Sequence, residues 1–350
     1  MVDCSIVGNR SGGSDAGGGI YISTSGTITN CFVANNRSLK GGGVASTVGS
    51  SSYNAYRPHI LGCVISNNVA QLPDGETGKD GNGGGIHSTN CSKIDGCLVT
   101  HNEARKSAGS GVYYGGIQTG AGIILRNTVI EYNKAIEGYG GGCGIGSTVG
   151  IITNCLFVGN SASSGGGLVI SGGGLVVDCT IISNSTAAFI QGGTLRNSLV
   201  AYNTNGIRVE ATGTGTGLFQ NCTIFGNGDT GINFLKESLV ENCIITGHAQ
   251  NNWVYNNAGG ENTVWLNSCT TPLPTGTSDV GNIVEDPKLV DPANGDYSLQ
   301  GSSPCINKGI YRDWMAGAFD LQGKNRIIGP AVDIGAFEAP LPLGTLFIIL

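Results

Sequence analysis

The sequence predicts an all-β fold, a parallel β-helix of about ten coils followed by a small β-rich C-terminal cap. Three observations predict it. Glycine supplies 61 of 350 residues and charged residues only 12%, where soluble domains carry roughly 7% glycine and ~25% charge. A short motif recurs with fixed internal spacing and a variable period. A second, glycine-rich element recurs between its copies. The composition disfavours long helices, which tolerate little glycine. Glycine plus proline, 71 of 350, stays below the ~25–30% that signals disorder, and a hydrophobic share of 39% is enough for a core.

The first motif pairs a Cys-like residue with an Asn five positions later. It reads Cys4 with Asn9, Cys31 with Asn36, Cys63 with Asn68 and Cys97 with Asn102. It continues through Thr128 with Asn133, Cys155 with Asn160, Cys179 with Asn184, Ser198 with Asn203 and Cys222 with Asn227. A tenth copy has Cys243 with His248, and the residue before the Cys-like position is Asn, Asp or Gly in every copy. Successive copies lie 19 to 34 residues apart. A constant segment with a variable period is the mark of a solenoid with loop insertions; a propeller carries four strands in every ~40–45 residues.

The second element is a run of glycines ending in an apolar residue, as in Gly17 to Ile20, Gly41 to Val44, Gly83 to Ile86 and Gly165 to Leu168. Between the corners each repeat holds two or three short strands, for example Ile20 to Ser23, Thr27 to Thr29 and Cys31 to Ala34. Such strands cannot form a sheet within one repeat. Stacked on the next repeat at ~4.8 Å, each pairs with its counterpart, and one core runs down the axis.

The nine Asn residues form a structural ladder. Corner backbone groups need partners, and an amide donates and accepts at once. The Cys positions read as a column of reduced, stacked thiols, because neighbours ~4.8 Å apart exceed the ~3.8 Å Cβ separation of a disulfide. Cys91, Cys269 and Cys305 fall outside the column and read as surface thiols. With four His and no CxxC pair, neither a metal site nor a cofactor is expected. The net charge of −6, with no basic stripe, excludes a nucleic-acid groove.

The repeats resemble right-handed parallel β-helix proteins, including the polymorphic outer-membrane adhesins of bacteria. The matching stretches are Gly41-Gly42-Gly43-Val44, Phe32-Val33-Ala34-Asn35 and their copies, over residues 1 to about 260. The resemblance implies a fold and leaves function open, because this architecture hosts lyases, hydrolases, adhesins and spikes.

The domain organisation follows: a solenoid over 1–269, a linker over 270–280, a C-terminal module over 281–340 and an apolar tail over 341–350. The module contains Gly281-Asn282-Ile283, Gly295-Asp296-Tyr297-Ser298-Leu299, Ser303-Pro304-Cys305-Ile306-Asn307 and Asp333-Ile334-Gly335-Ala336-Phe337-Glu338. This order is similar to the choice-of-anchor Q domain, although Asn307 stands where that family has Asp. The resemblance implies a bacterial protein that is secreted or held at the cell surface. The chain opens inside a repeat without a leader, so an upstream part is expected. The tail is shorter than the ~18 residues of a membrane span. Asp320, Arg326, Asp333 and Glu338 are expected to form salt bridges in a cap over the open end of the solenoid, whose strand edge would otherwise be exposed.

Candidate binding residues lie on the long insertions of coils two to four: Tyr53, Tyr56, Arg57, Arg105, Lys106, Tyr113 and Tyr114. Tyrosine faces beside cationic groups suit sugars, and insertions on one face of a repeat protein are often its binding face. The solenoid carboxylates, among them Glu103, Glu131, Asp178 and Glu241, are scattered singly, and no catalytic residue can be assigned. The leading expectation is a monomeric carbohydrate-binding or adhesive protein without catalysis, its partner a polysaccharide or cell-surface glycan. A polysaccharide lyase or glycoside hydrolase comes second and a structural stalk third.

Overall fold

The computed structural model describes residues 1–12, 17–47, 57–71, 81–90, 92–105, 115–145, 150–210, 215–256, 259–274 and 279–340. Among these, each coil gives one strand to each of three parallel sheets. The first sheet has ten strands, from Ile20–Ile22 to Asn251–Tyr255. The second has ten, from Thr27–Thr29 to Val264–Leu266, and the third eleven, from Ser5–Val7 to Cys269–Thr270. A fourth, short sheet joins Arg37–Ser38, Val69–Ala70, Glu103–Arg105 and Lys134–Ile136.

Inward side chains stack in register. In the third sheet Val33, Ile65, Val99, Ile130, Phe157, Ile181, Val200, Ile224 and Ile245 align one above the next, all fully buried. Strands of three residues have little stability alone, so the fold rests on this axial burial.

The corners explain the sequence signals. The residue before each Cys-like position takes the left-handed conformation, with φ of 52° at Asn30, 50° at Asn127 and Asn154, and 55° at Asp178. Asn, Asp and Gly tolerate that region best. On the glycine-rich corner the coils approach so closely that a Cβ on Gly42 would lie 2.4 Å from the Gly84 carbonyl oxygen, and one on Gly84 would lie 2.4 Å from that of Gly115.

The asparagine ladder runs unbroken from Asn9 through Asn36, Asn68, Asn102, Asn133, Asn160, Asn184 and Asn203 to Asn227. Each Nδ2 donates to the next Oδ1 at 2.9–3.1 Å. The same Oδ1 accepts the preceding Asn backbone N–H at 2.9–3.0 Å. Asn160 Nδ2 also reaches the Ile130 carbonyl at 2.8 Å, so the corner backbone is satisfied from both sides. His248 takes the tenth rung: Asn227 N–H donates to its Nδ1 at 3.1 Å, and its Nε2 donates to the Ile224 carbonyl at 3.1 Å. Those partners require a neutral imidazole, and burial lowers its pKa to about 4.

The Cys-like column works by the same logic. The backbone N–H of Cys31 donates to Cys63 Sγ at 3.5 Å, that of Cys97 to Thr128 Oγ1 at 3.3 Å, and that of Cys179 to Ser198 Oγ at 3.1 Å. Each of these side chains in turn donates to the carbonyl two residues before it, as Cys31 Sγ does to Thr29 at 3.2 Å and Ser198 Oγ to Arg196 at 2.6 Å. Thr and Ser replace Cys because all three are small donors that also accept. The eleven described cysteines are free thiols. Burial pushes the Cys143, Cys179 and Cys243 thiols well up.

Stacking extends beyond the sequence-based boundary at residue 269. Ser268, preceded by the left-handed Asn267, is an eleventh rung that accepts the Cys243 N–H at 3.1 Å. Asn282 Oδ1 then accepts the Ser268 N–H at 2.9 Å, and Ile283 bridges to Cys269. Cys269 and Cys305 are buried and are not surface thiols: the first lies in the last strand of the third sheet, the second in the C-terminal segment, in the cluster it forms with that sheet. Cys91 lies outside the described residues.

The end of the solenoid is filled by its own aromatics. Trp253 and Trp265 lie 5.5 Å apart between ring centroids, and Trp265 Nε1 donates to Tyr255 Oη at 2.9 Å. The C-terminal segment lies along the side of the solenoid. It holds one antiparallel pair, Leu289–Asp291 with Asp296–Leu299, and is otherwise turns and short 3₁₀ segments. The end cap expected from sequence is corrected in part: residues 279–283 stack on the last coil beside the buried Trp265, while the charged cluster and the rest of the segment cover the outer face of the third sheet.

Two outcomes follow from the ladder. Asn160→Ala removes an interior rung and strands buried corner groups, each worth about 1–3 kcal/mol; chemical denaturation should show a loss of about 2 kcal/mol, while the exposed Asn205→Ala stays within about 0.5 kcal/mol. The second concerns pH. Unfolded His248 takes a proton near pH 6.5 and the folded form only near pH 4, so the unfolded state binds more protons between them. The His248 contribution is therefore complete above pH 6.5 and declines as the pH falls toward 4, by at most about 3 kcal/mol. His248→Asn should remove this part of the stability–pH curve.

Candidate functional site: a groove on the flank

Below the seventh coil the left-handed corner holds the C-terminal segment. Asn197 Nδ2 donates to the Phe319 carbonyl at 2.8 Å, Asn242 Nδ2 to that of Ile310 at 2.8 Å, and Asn267 Nδ2 to that of Lys308 at 2.7 Å. Apolar contacts join Leu199, Ala201, Ile244 and Cys269 to Leu289, Tyr297, Ile334 and Phe337. The expected charged cluster forms, and it is a clamp. Asp320 accepts the N–H groups of Gln322, Lys324 and Glu338 at 2.8–2.9 Å. Asp333 accepts those of Asn307 at 2.6 Å and Ala339 at 2.7 Å. Arg326, fully buried, pairs with Glu338 at 3.3 Å and donates to the Asp333 carbonyl at 3.2 Å. Burial pushes the Glu338 carboxyl up to about 8 against the pull of Arg326. Glu241, also fully buried, is held by Gln220 Nε2 at 3.1 Å and by an ion pair with Arg312.

Where the segment meets the second sheet a groove of about 740 Å³ opens, its walls including Leu175, Val177, Asp178, Arg196, Trp314 and Phe319. The Arg196 guanidinium lies 4.7 Å from the Trp314 ring centroid, and its Nε donates to Gln220 Oε1 at 2.9 Å. Trp314 Nε1 is buried with no hydrogen-bond partner among the described residues. Phe319 is 57% exposed, an apolar ring facing solvent. Asp178 Oδ1 accepts Asn197 Nδ2 at 2.6 Å, while its second oxygen takes no donor among the described residues. Burial raises the Asp178 carboxyl above its ordinary range despite Asn197, Arg326 and Arg196 nearby.

The groove thus offers aromatic surface, one cation and one carboxyl with an oxygen that takes no donor among the described residues. Aromatic walls with a few convergent polar groups are the make-up of a small-molecule or saccharide site. Among the described residues no three His, Cys, Asp or Glu side chains are grouped to hold a metal ion. A smaller hollow of about 220 Å³ lies at the glycine-rich corner between Phe189, Arg208, Asp229 and Asn233. Its cation is already paired, Arg208 to Glu210 at 3.2 Å.

The loop residues named from sequence fare differently. Tyr53, Tyr56, Lys106, Tyr113 and Tyr114 lie outside the described residues. Arg57 is half-buried, two residues before the strand His59–Leu61 of the second sheet. Arg105 sits on the short fourth sheet, paired with Glu103 and with Gln71 Oε1 at 3.2 Å, and is no part of the groove. Sequence reasoning passed over Arg196 and Trp314 because they are 118 residues apart, and only docking of the C-terminal segment joins them. One signal was available: Trp314 is one of three tryptophans, and the other two lie in the last coil.

With this geometry in view, the chain belongs to the family of right-handed β-helix regions, which matches residues 84–270. A similar solved structure is the crystal structure of pectate lyase Pel9A, at 17% identity and a TM-score of 0.53, covering 92% of this chain and 88% of that one. That likeness carries the fold. No curated protein matches the chain.

The clamp is testable directly. Arg326→Met leaves Glu338 buried without its partner, a change that costs about 3–5 kcal/mol. Limited proteolysis should then cut first in the C-terminal segment while the solenoid strands stay protected.

Proposed function

We propose that the protein is a secreted or cell-surface β-helix that binds carbohydrate on its flank without transforming it, with residues 281–340 as a choice-of-anchor Q-like module. The observation that carries the reading is the groove in which Arg196, Trp314, Phe319 and Asp178 converge. Sugars present apolar C–H faces to aromatic rings and hydroxyls to polar groups, and both kinds of partner are here.

Binding is favoured over hydrolysis by the state of the two carboxyls on the groove wall. Glycoside hydrolysis ordinarily needs a pair of working carboxyl groups. Asp320 is spent on three backbone N–H groups, so Asp178 alone keeps a free oxygen. The lyase or hydrolase reading draws on the raised Asp178 carboxyl, a property shared with general acids.

A glycan array probed with the full chain tests the proposal. Binding is expected, and Trp314→Ala should weaken it about tenfold, the scale of one lost aromatic contact. Binding that ignores Trp314→Ala and Arg196→Ala would remove the groove from the account. Product release from a polysaccharide panel, abolished by Asp178→Asn, would put the enzyme reading in its place.

A further inference from the structure

The groove opens onto a track. Two of its lining residues, Asn154 and Asp178, are successive rungs of the left-handed corner, and the next rung toward the N-terminus is Asn127. Asn154 Nδ2 donates to Asn127 Oδ1 at 2.8 Å, and Asn127 Nδ2 to Asp95 Oδ1 at 2.8 Å. Each amide nitrogen carries two hydrogens. One is spent on the neighbouring coil, and the other has no protein acceptor among the described residues. Both asparagines are exposed.

The same column, lower down, shows what those amides do when something lies beside them. Asn197, Asn242 and Asn267 each turn Nδ2 onto a carbonyl oxygen of the C-terminal segment, at 2.7–2.8 Å. The corner is thus a row of donors at the coil repeat of ~4.8 Å. Its covered part holds one chain molecule, and its uncovered part leads straight out of the groove.

Resting on the carbohydrate reading above, we propose that the ligand is an extended polysaccharide whose chain leaves the groove and follows the rungs Asp178, Asn154 and Asn127 along the solenoid axis. One side of the track is polar: the Asp95 carboxylate is paired with Arg126 at 2.7 Å and with Lys93 at 3.5 Å, partners for the hydroxyls of a sugar chain. The other side of the track is apolar: Val64, Leu98, Val129 and Leu156 follow one another in register, half-buried, and suit the C–H faces of successive sugars. The covered rungs differ. They are flanked by the buried Leu199, Ala201, Ile244 and Cys269, which receive the apolar side chains of a polypeptide. Ion pairs beside the free rungs favour a hydroxyl-rich ligand there.

Calorimetry with cello- and chito-oligosaccharides, from dimer to hexamer, tests the track in the full-length chain. The variants are Asn127→Gly and Asn154→Gly. Gly62 and Gly96 already occupy two rungs of this corner with φ of 60° and 63°, so glycine keeps the backbone and deletes only the amide. The hexamer should lose about tenfold in affinity in the double variant, as expected for two lost hydrogen bonds, and the dimer should be unchanged. Trp314→Ala should weaken both. Unchanged hexamer binding in the double variant, with Trp314→Ala still damaging, overturns the track and leaves the groove standing. No binding of any oligomer by the native chain overturns both readings. Capture of a peptide copying Lys308–Tyr311 in place of the glycans, lost in the double variant, would assign the track to polypeptide and overturn the proposal.

Discussion

Everything in this molecule depends on satisfying the backbone at corners that repeat every ~4.8 Å. A strand of three residues turns, loses its ladder partners and leaves polar groups that cannot be buried alone. The asparagine column answers this: each amide accepts a backbone N–H from one neighbouring coil and donates to a backbone carbonyl of the same neighbourhood. The Cys-like column does the same at the next corner with smaller groups, which is why sulfur and hydroxyl interchange there. The inward apolar rows stack only because these two columns hold the coils in register.

The left-handed corner has a second consequence. Its side chains point away from the core, so the row of Asn and Asp residues that makes the turn possible also faces outward as a row of hydrogen-bonding groups. The chain uses the lower rungs to hold its own C-terminal segment, reinforced by the buried Arg326–Glu338 pair. A buried ion pair of this kind adds little net stability. Its geometry fixes where the segment lies, and that placement brings Trp314 over Arg196 and forms the groove. Fold and candidate site therefore share one structural device.

The two pKa displacements of opposite kind illustrate how the environment selects a role. His248 is held neutral so that Nδ1 can accept where an asparagine oxygen would. Asp178 is held toward its protonated form by burial while keeping one oxygen free in the groove. The first serves the ladder and the second the candidate site.

The coil pattern was legible in the sequence because a solenoid repeats its physical problem. The spacing from Cys31 to Asn36 recurs because the same turn must be closed each time, and Asn or Gly before the Cys marks the same positive φ. The eleventh rung at Ser268 was harder to see because Leu273 stands five positions on, where the other copies have Asn or His, and the next rung of the column, Asn282, follows 14 residues later. The burial of Cys269 and Cys305 and the position of the C-terminal segment were not legible, since they depend on contacts between residues far apart in the chain. The groove belongs to that second class. Arg196 is an outward residue of the second sheet, and Trp314 sits on a short turn; neither carries a local signal of a partner. Local turn chemistry, repeated, determines the solenoid. The site was decided by the tertiary structure alone, because only the folded flank brings those two side chains together.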